Sequence, residues 1–218
     1  MFDLPLFPLN TVLFPGAPLK LHIFESRYLK MIGLCVEKNM PFGVVLIREG
    51  LEAQGSLAKP HSIGCSARIT QVEKLSGGRM NIIVVGLERF RILSLDAHSQ
   101  PYLMSKVEGF PMLPGDEQTM HAIGERLNTW LNRYLEAFNW ATTVKLDISQ
   151  LPQDPLSFAY MAAAILQIPY EQKQKLLVFE NAKDFLLEVE NTFRRELALL
   201  RATNLGVKPD RDEPFSRN

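Results

Sequence analysis

The chain has 218 residues, 46% of them hydrophobic, and its 24 lysines and arginines balance 24 aspartates and glutamates to a formal net charge of zero. That supports one large core or two modest ones and argues against a strongly basic nucleic-acid binder or a polybasic membrane-surface protein, both of which need clustered cations. No run approaches the roughly 18 apolar residues of a membrane span. The N-terminus lacks the leader of a secretory signal, and Cys35 and Cys65 fall in different predicted elements, against a disulfide framework; a reducing cytoplasm is the expected setting.

The first half predicts strands. After an opening in which prolines interrupt leucine and phenylalanine, "PLKLHIF" (18–24) and "FGVVLI" (42–47) are rich in branched and aromatic residues. Between them Tyr28, Ile32 and Cys35/Val36 recur at helical spacing, predicting a short helix over Glu25 to Lys38. Residues 49–61 lose periodicity and gain glycine and proline, the composition of a surface loop. "SIGCSARITQVEKL" and "RMNIIVVGLERFRILSL" flank Ser76-Gly77-Gly78, a hairpin turn, and "YLMSKVEGF" (102–110) closes the series. Roughly six strands joined by short turns, with one helix among them, predict a small antiparallel barrel.

Beyond Pro111 and Pro114 the period becomes helical. Met120, Ile123, Leu127, Trp130, Leu131, Tyr134 and Phe138 trace one apolar face, with Glu125, Arg126, Asn132 and Arg133 opposite. In "LPQDPLSFAYMAAAIL", Asp154 is placed to cap a helix that Pro155 begins. A third helix is expected near Pro169, and the longest from about Asn181 to Thr203, with Asn181 and Asp184 at capping spacing and Gly206 past its end. The fold class is α+β: a strand-rich unit over 1–112, a helical bundle over 113–206, and a polar, proline-broken tail over 207–218 that is expected to be disordered.

Catalytic patterns fall short. Gly50 and Gly55 have the separation of a phosphate-binding loop, but Ser56 and Leu57 stand where lysine and Ser/Thr are needed. No serine sits in a G-x-S-x-G elbow, and Ser66 lies within a predicted strand. His61 and Cys65 could meet a metal, yet a structural zinc site needs four ligands, and Cys35, His22, His98 and His121 are scattered. Asp116-Glu117 sits at a helix start, where the dipole favours it, and Glu188 with Glu190 lies on an expected solvated face. Arg194, Arg195 and Arg201 alternate with Glu190 and Glu196, the pattern of ordinary i,i+4 pairing. These residues point to a binding module, with no metal and no cofactor.

Four segments, in order, resemble the N-terminal (substrate-binding) domain family of Lon proteases. They are "LPLFPLNTVLFPGAPLKLHIFESRYLKMI" (4–32), "IGCSARITQVEKLSGGRMNIIVVGLERFRI" (63–92), "PYLMSKVE" (101–108) and "LPQDPLSFAYMAAAILQIPYEQKQKLL" (151–177), with a glycine-x-x-arginine in the second. The resemblance implies a pseudo-barrel of the PUA type followed by a helical bundle. It also gives the prolines a place: Pro5 and Pro8 at strand edges, and Pro15-Gly16 in a turn between strands. The phosphate-binding lysine motif and the protease serine segment of full Lon proteases are missing from this sequence, which is therefore expected to be a stand-alone, non-catalytic relative of the domain.

The resemblance implies recognition of unfolded or tagged polypeptides, or docking to another protein as an adaptor in protein quality control. Competing classes are a PUA-like nucleic-acid binder, which zero net charge disfavours, and a small-molecule barrel, which would require a polar pocket. Where strand 18–24 runs into a helix, Phe24, Glu25, Arg27 and Tyr28 combine an aromatic pair, expected one helical turn apart, with charges able to orient a peptide. They are the candidate binding residues. Against this stands a purely structural role, with Glu25 favouring the helix dipole, Arg27 pairing locally and both rings in the core.

Overall fold

The computed structural model describes residues 1–50, 58–139 and 151–206. The tail 207–218 lies outside the described residues, as does Gly55. Among the described residues there are seven strands: β1 (Phe2–Leu9), β2 (Pro18–Ile23), β3 (Phe42–Glu49), β4 (Lys59–Pro60), β5 (Ile63–Lys74), β6 (Met80–Asp96) and β7 (Leu103–Gly109). One more strand forms than expected, because Lys59–Pro60 pairs with β3 inside the stretch read as loop.

Strands β1, β7, β6, β5 and β3 pair in that order, and β3 returns to β1, so the strands form a ring, a pseudo-barrel. The pairings are antiparallel except the closing one: β1 and β3 run parallel, with Leu6 opposite Gly43 and Leu9 opposite Leu46. Strand β1 has β7 beside Phe2 to Leu6 and β3 beside Leu6 to Leu9. Pro5 and Pro8 therefore each lie where the strand has a single neighbour, which suits residues without an amide donor.

Strand β6 serves two neighbours on one side, β2 along its first half and β7 along its second. The switch falls at Gly86. There the Pro15-Gly16 turn docks: the Gly16 amide donates to the Gly86 carbonyl at 2.9 Å, and the Gly86 amide donates to Ala17 O at 3.0 Å. A side chain at Gly86 would run into the Phe14 carbonyl oxygen, so only glycine permits this approach. The hairpin between β5 and β6 turns through Ser76–Gly78, with Gly77 at φ 73°, as its composition predicts.

Among the described residues five helices accompany the strands: α1 (Ser26–Lys38), α2 (Glu117–Asn139), α3 (Pro155–Ile165), α4 (Tyr170–Leu177) and α5 (Ala182–Gly206). Their starts follow the predicted chemistry. Asp116 accepts from the Thr119 amide, Asp154 from Ser157 and Asn181 from Lys183, at 2.8, 2.8 and 2.9 Å. Helix α5 runs through Gly206, where an end near Thr203 was expected. No helix among the described residues is long and apolar enough to cross a membrane.

A single apolar cluster links β1, β2, β3, β5 and β6 with all five helices, and a smaller one fills the space between Leu4, Leu6, Val45, Phe90, Leu103 and Val107. Within α2, Leu127, Leu131 and Tyr134 are buried as expected. Trp130 is not. It is half-buried at the edge of the stripe, with the guanidinium of Arg133 at 5.0 Å from its ring and that of Arg194 at 5.4 Å. The charge pairing of α5 also departs from expectation. Glu190 is buried and meets Arg126 of α2 at 3.1 Å, while Arg195 pairs with Glu188 at 2.9 Å.

Candidate functional site

Strand alternation fixes the first part of the site. In β2 the side chains of Leu19, Leu21 and Ile23 pack toward the core, leaving Lys20, His22 and the following Phe24 on the opposite, exposed face. Phe24 is 61% exposed, and its ring stacks on that of His22 with centroids 5.8 Å apart. His22 is held in turn: its Nδ1 meets Asn81 Oδ1 at 2.8 Å, and the Asn81 amide donates to Glu73 at 2.8 Å. The exposed phenyl ring thus stands on a built support.

Helical periodicity fixes the second part. Helix α1 begins at Ser26, and Tyr28, Met31, Ile32 and Cys35 form its buried stripe. Tyr28 is 4% exposed and its ring lies 4.0 Å from that of Phe7 on β1. The expected exposed pair is therefore divided. Phe24 precedes the helix and follows the strand's period of two, whereas Tyr28 follows the helix's period and turns inward.

Glu25 and Arg27 form a local pair, as the structural alternative anticipated: the Arg27 Nη2–Glu25 Oε2 distance is 2.8 Å. The guanidinium also lies over the Tyr28 ring, 4.3 Å from its centre. Glu25 occupies the cap position of α1, but its carboxylate caps no helix amide.

Phe24, Glu25 and Tyr28 border one hollow of about 400 Å³, shared with Phe7 and Leu9 of β1 and with Lys20 to Ile23 of β2; Arg27 stands behind Tyr28. Phe7, Leu9 and His22 were missed as site residues. His22 was legible, because alternation alone sets it beside Phe24. Phe7 and Leu9 were not, since only the closed ring brings β1 opposite β2.

The other chemical candidates are accounted for by packing. Cys65 is fully buried, which pushes its thiol up to about 12, and Cys35 is raised by burial to about 11, so both are held as inert thiols. Ser66 donates to the Glu88 carbonyl at 3.1 Å and accepts from the Glu88 amide at 3.2 Å, tying β5 to β6. His61 faces Glu171 at 3.3 Å. Among the described residues no three His, Cys, Asp or Glu side chains gather to hold a metal.

A model of the substrate-binding domain of the ATP-dependent protease La (Lon) matches residues 3–191, from β1 into α5. The chain belongs to the Lon substrate-binding domain family. Curated relatives in that family include Lon protease 2 of Myxococcus xanthus, 28% identical over 94% of this chain and 25% of that protein, and a Lon protease of Syntrophus aciditrophicus, 26% identical over 94% and 26%. The chain thus spans about a quarter of the length of these relatives. The crystal structure of a Lon N-terminal domain protein from Xanthomonas campestris superposes with a TM-score of 0.66 at 25% identity, covering 87% of this chain and 97% of that one. The N-terminal domain of a Mycobacterium avium complex Lon protease gives 0.67 at 16% identity, over 88% and 98%.

In this chain the glycine-x-x-arginine of β6 has a structural role that the sequence did not show. Gly86 seats the first turn, and Arg89, 3% exposed, donates to the carbonyl oxygens of Leu177, at 2.8 Å, and Phe179, tying the strand ring to the end of α4.

Proposed function

We propose that this chain is a non-catalytic module that binds polypeptides, either unfolded or tagged segments or a docking partner, and acts as a cytoplasmic adaptor in protein quality control. Membership of a family described as a substrate-binding domain supports this reading. The observation that carries it is the exposed Phe24 ring, braced by His22 at the rim of the hollow between β1 and β2. Aromatic side chains beside a hollow are the usual centres of binding energy, and a ring already held in place loses little freedom on contact. In this reading Phe24 touches the partner, Tyr28 forms the floor, and Glu25 with Arg27 holds that floor and orients the peptide. Residues 1–112 present the site, and the helices of 113–206 support it.

The test is titration of a fluorescein-labelled, reduced and carboxymethylated α-lactalbumin, read by anisotropy. Phe24→Ala is expected to weaken binding by about tenfold or more, the effect of losing a hot-spot side chain, with an unchanged Tm because the ring is outside the core. Equal binding by wild type and variant, or loss of binding only in step with loss of fold, would count against the site.

A further inference from the structure

We infer that the partner's backbone is recognised as an added strand along the outer edge of β2; this rests on the polypeptide-binding reading above. Strand β2 has β6 on one side and, among the described residues, no strand on the other. The hollow beside it is bordered by every residue from 20 to 25 in succession. Phe7 and Leu9 of β1 and Tyr28 of α1 border the same hollow and no residue of β6 does, which places it on the side of β2 away from its paired neighbour.

Two separate hydrogen bonds tell which peptide groups face that space. In an antiparallel pair, residues alternate between bonding to the neighbour and pointing away from it. The Gly86 amide donates to Ala17 O at 3.0 Å, so on the β6 side Val84, Ile82 and Met80 continue the bonds toward β2. At the far end the Leu75 amide donates to Arg79 O at 2.8 Å, which assigns Asn81 and Ile83 to β5 and again leaves Met80, Ile82 and Val84 for β2. Both routes agree. The partners of those three are Ile23, Leu21 and Leu19, so the N–H and C=O groups of Lys20 and His22 point outward, into the hollow.

The outward groups recur every two residues, about 7 Å apart at strand rise. The matching complement is another extended chain, whose own donors and acceptors have that repeat. Side chains of the added strand would meet His22 and Phe24 on one face and Leu9 and Tyr28 on the other. The occupant is therefore an extended segment of an unfolded polypeptide, read by its main chain and tolerant in sequence. A second copy of β2 fits poorly, because antiparallel self-pairing about position 20 sets the two Lys20 ammonium groups against each other, and an edge lysine is a usual guard of an exposed strand.

Proline substitution separates backbone from side-chain recognition. A proline at position 20 or 22 removes an outward N–H and leaves the β6 ladder intact. With the labelled α-lactalbumin above, Lys20→Pro and His22→Pro are expected to bind at least tenfold more weakly than Lys20→Ala and His22→Ala. Amide hydrogen exchange on the wild-type chain gives a second readout that needs no variant to fold. Saturation with the same probe should slow exchange at Lys20 and His22 and change Leu21 little. If the wild type binds but proline and alanine variants bind alike, with no protection at Lys20 and His22, strand addition is wrong and the binding reading stands. No binding by the wild type would remove both. Protection of these amides without probe, in step with dimer formation by sedimentation, would assign the edge to a second copy and overturn the proposal.

Discussion

Arg89 carries a charge into the interior without a direct ion pair among the described residues; two main-chain carbonyls and the Phe110 ring, 4.7 Å from the guanidinium carbon, surround it instead. Burial lowers its pKa, yet the carbonyls give the charge directed acceptors. Removing it leaves the Leu177 and Phe179 carbonyls unmet, so Arg89→Ala is expected to cost roughly 3 kcal/mol or more in a urea unfolding titration, since hydrogen bonds to charged groups are worth about 1.5–3 kcal/mol each. Close by, burial raises the Tyr160 hydroxyl from its ordinary value of 10.0 to about 12. The folded chain then holds this proton more tightly than the unfolded chain. Its contribution is whole below pH 10 and is lost as pH rises toward 12, at about 1.4 kcal/mol per pH unit within that window. Tyr160→Phe is expected to flatten the fall of stability across pH 10 to 11.5, measured against wild type; parallel curves would show that the hydroxyl is already ionised or exposed.

At the scale of elements, α2 shows what periodicity conveys and where it stops. The 3.6-residue repeat puts Leu127, Trp130, Leu131 and Tyr134 on one face, and the face does turn inward. Which margin of that stripe is covered depends on where α5 lies across it, and Trp130 falls at the uncovered margin between two arginines. Leu127→Ala is accordingly expected to cost about 2–5 kcal/mol, the range for a fully buried leucine, and Trp130→Ala only about 1–2 kcal/mol from partial burial and cation–π contact. Thermal unfolding of the two variants checks the order. The candidate site divides in the same way. Alternation along β2 made Lys20, His22 and Phe24 readable as one face, and the stripe of α1 made Tyr28 readable as core, but treating Phe24 and Tyr28 as one helical unit carried the helix period one turn too far toward the N-terminus.

For the whole molecule, the strand-rich and helical portions share one core. Phe14 and Tyr160 approach to 6.4 Å between ring centres, the Gln174 side-chain amide donates to the Ile63 carbonyl at 3.0 Å, and the Arg89 guanidinium donates to the Leu177 carbonyl at 2.8 Å. Contacts this distributed couple the portions, so a single calorimetric transition is expected, with matching van't Hoff and calorimetric enthalpies. Two resolved transitions, or a 1–112 fragment that unfolds cooperatively by itself, would show independent domains.

By itself, the sequence determined the local structures and the order in which they come. Caps at Asp116, Asp154 and Asn181, the glycine hairpin and the apolar stripes depend on residues within a turn or two of one another, and the family pattern is spread along the chain in the same order. Tertiary structure alone decided the parallel closure of β1 on β3, the edge that β2 leaves unpaired among the described residues, and the reach of Arg89 to a carbonyl 88 residues away. Those features depend on which surfaces meet, and periodicity within a segment carries no information about the partner that segment will find.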